Sequence, residues 1–163
     1  MAIAEFMKVS LDQFKHDCMG VFEDFDESWY HDIILPKRAS KGSAGYDFYC
    51  PMDVTIKKGE MLRIPLGIRV RMDEGYVLSV YPRSSMGFKY QMMLANTVGI
   101  IDSDYFLADN EGHIMTAIVN RGEKTIEIKK GDRFVQGIFT AYYLAEENSE
   151  FERRTGGYGS SGK

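Results

Sequence analysis

The sequence is poor in cysteine. Its two cysteines, Cys18 and Cys50, lie far apart and show no C-x-x-C spacing. That argues against a disulfide framework and against a zinc site of the usual spacing, and fits two reduced thiols in a cytoplasmic protein. There is no apolar run of about 20 residues, so no membrane span is expected. The N-terminus lacks a basic segment followed by an apolar one, so no secretory leader is expected. Positive charge is not in excess: the formal net charge is -4. Nucleic acid is therefore not expected as a partner, because its phosphate backbone favours a basic face. A phosphate-bearing small molecule stays open, since it needs only a local basic site. Internal repeats are absent as well.

The 163 residues suit one domain. Hydrophobic residues make up 44% and charged residues 27%, the balance of an ordinary globular chain with a core of its own. Residues 5–14 alternate in part and suggest a first strand. Residues 17–32 carry six acids and no lysine or arginine, with Phe22, Phe25, Trp29 and Tyr30 interleaved. Those rings argue against a disordered acidic linker. The segment reads as a surface excursion whose rings pack on the domain while its acids stay solvated. It could cover an edge or meet a protein partner.

From Ile33 onward short apolar stretches alternate with turn signals such as Lys57-Lys58-Gly59-Glu60, Asp73-Glu74-Gly75 and Lys129-Lys130-Gly131-Asp132. This predicts an all-β barrel or sandwich with antiparallel strands. One short helix is expected within 84–95, with Ser84 and Ser85 suited to its N-cap. Residues 106–112 read as a polar loop.

The stretch Asn96-Thr97-Val98-Gly99-Ile100-Ile101-Asp102-Ser103-Asp104-Tyr105 is apolar and ends abruptly in acid. It reads either as a strand closed by an Asp-Ser turn or as a strand presenting a general base, since burial would push a carboxylate toward a working pH. The tail from Arg153 to Lys163 is glycine, hydroxyl and arginine with one aromatic, which is the composition of a mobile end. Within it Gly157–Lys163 spells G-x-x-x-x-G-K. A phosphate loop of that kind needs a strand before it and a helix after it, and here the chain stops at the lysine.

Five segments in order resemble the five motifs of the trimeric dUTPase family: Ala44-Gly45-Tyr46-Asp47-Phe48, Pro82-Arg83-Ser84-Ser85, the stretch 96–105, Gly131-Asp132-Arg133-Phe134-Val135-Gln136, and Arg154-Thr155-Gly156-Gly157-Tyr158-Gly159-Ser160-Ser161-Gly162. The resemblance covers roughly residues 33 to 163. It implies a jelly-roll-like distorted β-barrel, a homotrimer with shared active sites, and hydrolysis of dUTP to dUMP and diphosphate with Mg2+ on the triphosphate. It divides the chain into a β domain, 1–152, and an arm, 153–163, that closes over the site.

The resemblance also implies roles. Asp102 would be the general base that activates water, with Ile100 and Ile101 desolvating it. Asn96, Gly99 and Ile101 would belong to the hairpin that reads uracil, and Tyr105 would pack under the deoxyribose. Arg83, Ser84 and Ser85 would hold phosphates. Gln136 would lie near the α-phosphate and the attacking water, and Asp47 would reach the magnesium through its water shell. Arg133 reads as structural, paired with an acid. In the arm, Tyr158 would stack on uracil, Gly159, Ser160 and Ser161 would meet phosphate, and either Arg153 or Arg154 would grip it. The family often has Arg-Gly directly after the tyrosine of the third motif, whereas here residues 106–113 intervene. A dCTP deaminase relative, alone or bifunctional, and a non-catalytic nucleotide-binding regulator are the alternatives on the same fold.

Overall fold

The computed structural model describes residues 2–146. Its elements in order are β1 (Ala4–Lys8), α1 (Leu11–Met19), α2 (Ser28–His31), β2 (Lys37–Arg38), β3 (Tyr46–Tyr49), β4 (Val54–Ile56), β5 (Met61–Met72), β6 (Tyr76–Pro82), α3 (Ser84–Tyr90), β7 (Met92–Leu94), β8 (Gly99–Ile101), a 3-10 helix (Ser103–Leu107), β9 (Ile114–Asn120), β10 (Ile126–Ile128) and β11 (Arg133–Ala141). Every strand pair is antiparallel. One sheet runs β1-β5-β9-β7, a second runs β2-β3-β11-β6-β8, and β10-β4 forms a small third. Alternating residues of the two large sheets meet in one core that includes Phe48, Ile64, Leu66, Leu78, Ile114 and Phe134. This is the antiparallel all-β architecture expected from turn spacing.

The N-terminal region departs from expectation. The first strand stops at Lys8, and residues 11–19 are helical. Ser10 explains the switch: its Oγ accepts the Gln13 N–H at 3.1 Å, an N-cap bond that satisfies one of the orphan donors of the first turn. Phe14 and Cys18, one helical turn apart, are both fully buried, so α1 lays one stripe on the core. Among the described residues there are thus three α-helices where one short helix was expected, and α1 is the longest of them.

The rings of 17–32 do pack as expected. Phe22 and Phe25 meet Trp29 at 5.7 and 5.9 Å between centroids, and Tyr30 lies 5.9 Å from Phe14. The acids are not all solvated. Asp17 is paired with the buried His113, whereas Asp32 pairs with Lys130 at 2.7 Å but stays exposed. One acid of the segment, Asp17, is therefore turned inward, and the other five are exposed. Both cysteine thiols are buried, and burial pushes each up to about 12, so neither is poised to react. Among the described residues no helix is long and apolar enough to cross a membrane.

Candidate active site

Four of the five motif segments fall on four adjacent strands. In the order β3-β11-β6-β8 the sheet carries Asp47 on β3, Gln136 on β11, Arg83 just past β6, and Gly99 and Ile101 on β8. The register sets Asp47 against Gln136, Gln136 against Tyr81, and Gly99 against Val80. The arm residues Arg153, Arg154, Tyr158, Gly159, Ser160 and Ser161 lie outside the described residues.

A cavity of about 450 Å³ opens between β8 and β9. Asn96, Gly99, Ile101, Tyr105 and Thr116 are in its lining, which is mostly apolar. Such a volume suits a base with its sugar. β8 is the edge of its sheet, so alternate backbone amides and carbonyls face away from β6 and can read a ligand by hydrogen bonds. The approach to β8 is a tight turn: Thr97 takes a left-handed φ of 66°, and the Val98 N–H donates to the Asn96 carbonyl at 2.7 Å. Asp102 follows Ile101 and takes the N-cap position of the 3-10 helix, where its carbonyl accepts the Tyr105 N–H at 3.2 Å. Of the two apolar neighbours expected to desolvate Asp102, Ile101 is buried but Ile100 is 54% exposed.

The other half of the site is electrostatic. Asp47 is 6% exposed and sits between two guanidiniums, with Arg83 Nε at 2.9 Å from one oxygen and Arg133 Nη1 at 3.1 Å from the other. Arg133 is structural, as its sequence context suggested. Both Asp47 oxygens are engaged by arginine, each by one contact. Among the described residues no group of three or more His, Cys, Asp or Glu converges to hold a metal. Asp47 is the anchor of two cations, and each of its oxygens keeps a second lone pair that a water could use.

A second cavity, of about 330 Å³, is lined by Arg83, Ser85, Lys89 and Arg133, among others. Glu127 and Asp132 also line it and Asp47 pairs with both arginines, so the groups that suit phosphate oxygens are Lys89, the Ser85 hydroxyl and the Arg83 N–H groups that Asp47 leaves open. Ser84 and Ser85 are exposed and occupy the first turn of α3 rather than its cap: Arg83 is the N-cap residue and makes no side-chain capping bond. Gln136 is half-buried, and its Nε2 lies 3.5 Å from the Pro82 carbonyl. A Cβ on Gly45 would come within 2.8 Å of Gln136 Oε1, so the glycine of the first motif leaves room for the glutamine of the fourth.

The two cavities share no lining residue. Ile101 pairs with Leu78, so Asp102 lies opposite Val77, six residues from Arg83 along β6. At about 3.3 Å per residue that is roughly 20 Å. Asp102 and the serines of the same chain are too far apart to serve one phosphate.

A protein-family model described as dUTPase matches residues 31–162. The chain belongs to the dUTPase family. It is similar to the deoxyuridine 5'-triphosphate nucleotidohydrolase of Lactococcus lactis subsp. lactis, 44% identical over 80% of this chain and 89% of that protein. The protein of the same name from Nautilia profundicola is 36% identical over 81% of this chain and 93% of its own. The crystal structure of dUTPase from Streptococcus mutans aligns with a TM-score of 0.68 at 31% identity, covering 87% of this chain and 98% of that one. A Staphylococcus phage dUTPase aligns over 100% of both chains with a TM-score of 0.68 at 21% identity, a likeness of fold.

Relative to the motif pattern of the dUTPase family, the part that sequence reasoning missed surrounds Tyr105. This ring is 4% exposed, and its hydroxyl donates to the His113 carbonyl at 2.8 Å and accepts from Asn110 Nδ2 at 2.7 Å. It is thus both a core aromatic and a cavity wall. The Glu111 carboxylate accepts the Ser10 N–H at 2.8 Å and the Ser10 hydroxyl at 2.6 Å. Gly112 must be glycine: it has φ 71°, and a Cβ there would meet the Tyr105 carbonyl at 2.6 Å. The His113 ring is fully buried, its Nδ1 2.5 Å from Asp17 Oδ2. Burial works against the charged form of Asp17, but the hydrogen bonds from His113 and Gln13 outweigh it and hold the carboxyl below the usual range. The pattern Ser10-x-x-Gln13 was a legible helix start. The pairing of residue 17 with residue 113 left no signal in the sequence.

Proposed function

We propose that the chain hydrolyses dUTP to dUMP and diphosphate. The observation that carries this reading is the placement of four motif segments on adjacent strands, with an apolar cavity lined by Asn96, Gly99, Ile101 and Tyr105, the residues that flank Asp102 in sequence. In this reading uracil meets the edge of β8 near Asn96, Gly99 and Ile101. A site built from fixed donors and acceptors rejects cytosine by leaving buried groups unpaired, which discriminates far more strongly than fit alone. The deoxyribose lies on Tyr105. Asp102 takes a proton from a water that attacks the α-phosphorus, and diphosphate leaves. Gln136, which lies beside Tyr81 at the Arg83 end of β6, would orient that water or the α-phosphate from a neighbouring chain.

Magnesium, if bound with the triphosphate, would keep most of its waters and supply charge that offsets that of the leaving diphosphate. Asp47 would meet one of those waters through a lone pair its arginines leave open. One of the phage relatives, from Staphylococcus aureus, is described with a structural Mg(II) ion.

The separation between Asp102 and Arg83 supports an assembly in which each site joins the base pocket of one chain to the Arg83-Ser84-Ser85 segment of another. A homotrimer with shared sites meets that need. The arm, 153–163, would close the site, with Tyr158 over uracil and with Ser160, Ser161 and Arg153 or Arg154 on phosphate, excluding water as lids do.

Diphosphate release measured with dUTP, dCTP, dTTP and UTP tests the reading. Release from dUTP alone is expected. Ammonia release from dCTP would favour a deaminase, and binding of dUTP without release would favour a regulator.

A further inference from the structure

Residues 106–113 stand where the family pattern continues with Arg-Gly, and they enclose the hydroxyl of Tyr105. Asn110 donates to that hydroxyl, and its own Oδ1 accepts the Gly112 N–H at 3.2 Å, so the amide can turn only its NH2 toward Tyr105. The hydroxyl proton goes to the His113 carbonyl. His113 is itself locked through both ring nitrogens. The register of β5 against β9 shifts between Pro65 and Ile68, and there the Gly67 N–H donates to His113 Nε2 at 2.8 Å. Nε2 is therefore an acceptor, and Nδ1 carries the proton shared with Asp17. A continuous set of bonds runs from α1 through the imidazole to the phenol in the cavity wall.

We propose that Asn110 and the Asp17–His113 pair are positioning residues that hold the Tyr105 ring in place and thereby set discrimination against a ribose 2'-hydroxyl. This rests on the dUTP reading above. A pocket wall rejects an added hydroxyl only as firmly as it resists displacement, and soft apolar pockets reject one poorly. Tyr105 can swing about two torsions. Its two hydrogen bonds remove that freedom, and swinging away would leave a buried hydroxyl unpaired.

The test uses the full-length chain and its Asn110→Ala, Tyr105→Phe, Asp17→Ala and Asp17→Asn variants. Values of kcat/KM are measured for dUTP and UTP in parallel, with thermal melting of each variant. Asn110→Ala and Tyr105→Phe should lower the dUTP:UTP ratio about tenfold, the worth of one hydrogen bond in the wall. Asp17→Ala should lower it too. Asp17→Asn should restore it, because the amide oxygen still accepts from Nδ1. A purely structural role would lower melting temperature and both substrates together. An unchanged ratio in Asn110→Ala and Tyr105→Phe overturns the proposal, whatever becomes of Asp17→Ala. Failure of the unaltered chain to release diphosphate from dUTP is a separate result: it removes the underlying reading, and this inference with it.

Discussion

Glu111 completes the N-cap of α1 from 101 residues beyond the capping serine: its two carboxylate oxygens accept the N–H and the hydroxyl of Ser10. In a capping box the residue three after the cap returns that bond. Gln13 holds that position here, but its amide goes to Asp17 at 2.8 Å, and Glu111 takes its place from the loop after Tyr105. The N-terminal excursion is thus joined to the candidate active site. Glu111→Ala should lower stability by about 1–2 kcal/mol, the usual worth of an N-cap. Urea unfolding checks this, and an unchanged midpoint contradicts it.

Asp47 anchors Arg83 and Arg133. Its replacement by alanine should destabilise by about 1–3 kcal/mol, the range for bonds between charged groups, since both arginines remain partly exposed and can rehydrate. The same variant should weaken turnover, because Arg83 leads into the serine segment. Full turnover with an unchanged unfolding midpoint would remove the clamp from the account.

Asp17 and Glu111 both titrate below the usual carboxylate range. In each case burial opposes the charge, and hydrogen bonds outweigh it: those of His113 and Gln13 at Asp17, those of Ser10 at Glu111. A group depressed in the folded state adds stability above its unfolded value, near 4, and that stability is lost as pH falls through the folded value. Stability should therefore hold down to about pH 5 and fall steeply below about pH 4. Asp17→Asn should flatten that fall. Melting temperature against pH measures it, and an acid limb unchanged in the variant counts against the assignment.

Much of this was legible because the relevant signals are local. Turn residues fixed the strand boundaries, and five short motifs fixed the family. Asp102, Gln136, Asn96 and Tyr105 could be named because their neighbours in sequence carry the pattern. The clamp around Asp47 was half legible: Arg133 was read as paired, but Arg83, read as a phosphate ligand, is also a partner. The start of α1 was read as strand because Met7, Val9 and Leu11 alternate with Lys8 and Ser10, while the capping role of Ser10 was overlooked. The His113 pair was not legible, because its partners at 17 and 67 reach it only through the fold.

If each site is shared, two defective chains can repair one another. Asp102→Asn should lower kcat about 10²- to 10⁴-fold, the contribution of a general base, while dUTP still binds. A Ser84→Ala, Ser85→Ala double variant should also be weak, for loss of phosphate contacts. Mixing the two after unfolding and refolding should recover activity above either parent, because some sites then combine an intact Asp102 with an intact serine segment. No recovery would place both halves of the site in one chain.

The most direct measurement is a turnover of dUTP in water labelled with heavy oxygen, followed by mass spectrometry of both products. Attack at the α-phosphorus by water activated at Asp102 predicts one labelled oxygen in dUMP and none in diphosphate. Label in diphosphate, or no release of diphosphate at all, would contradict the account.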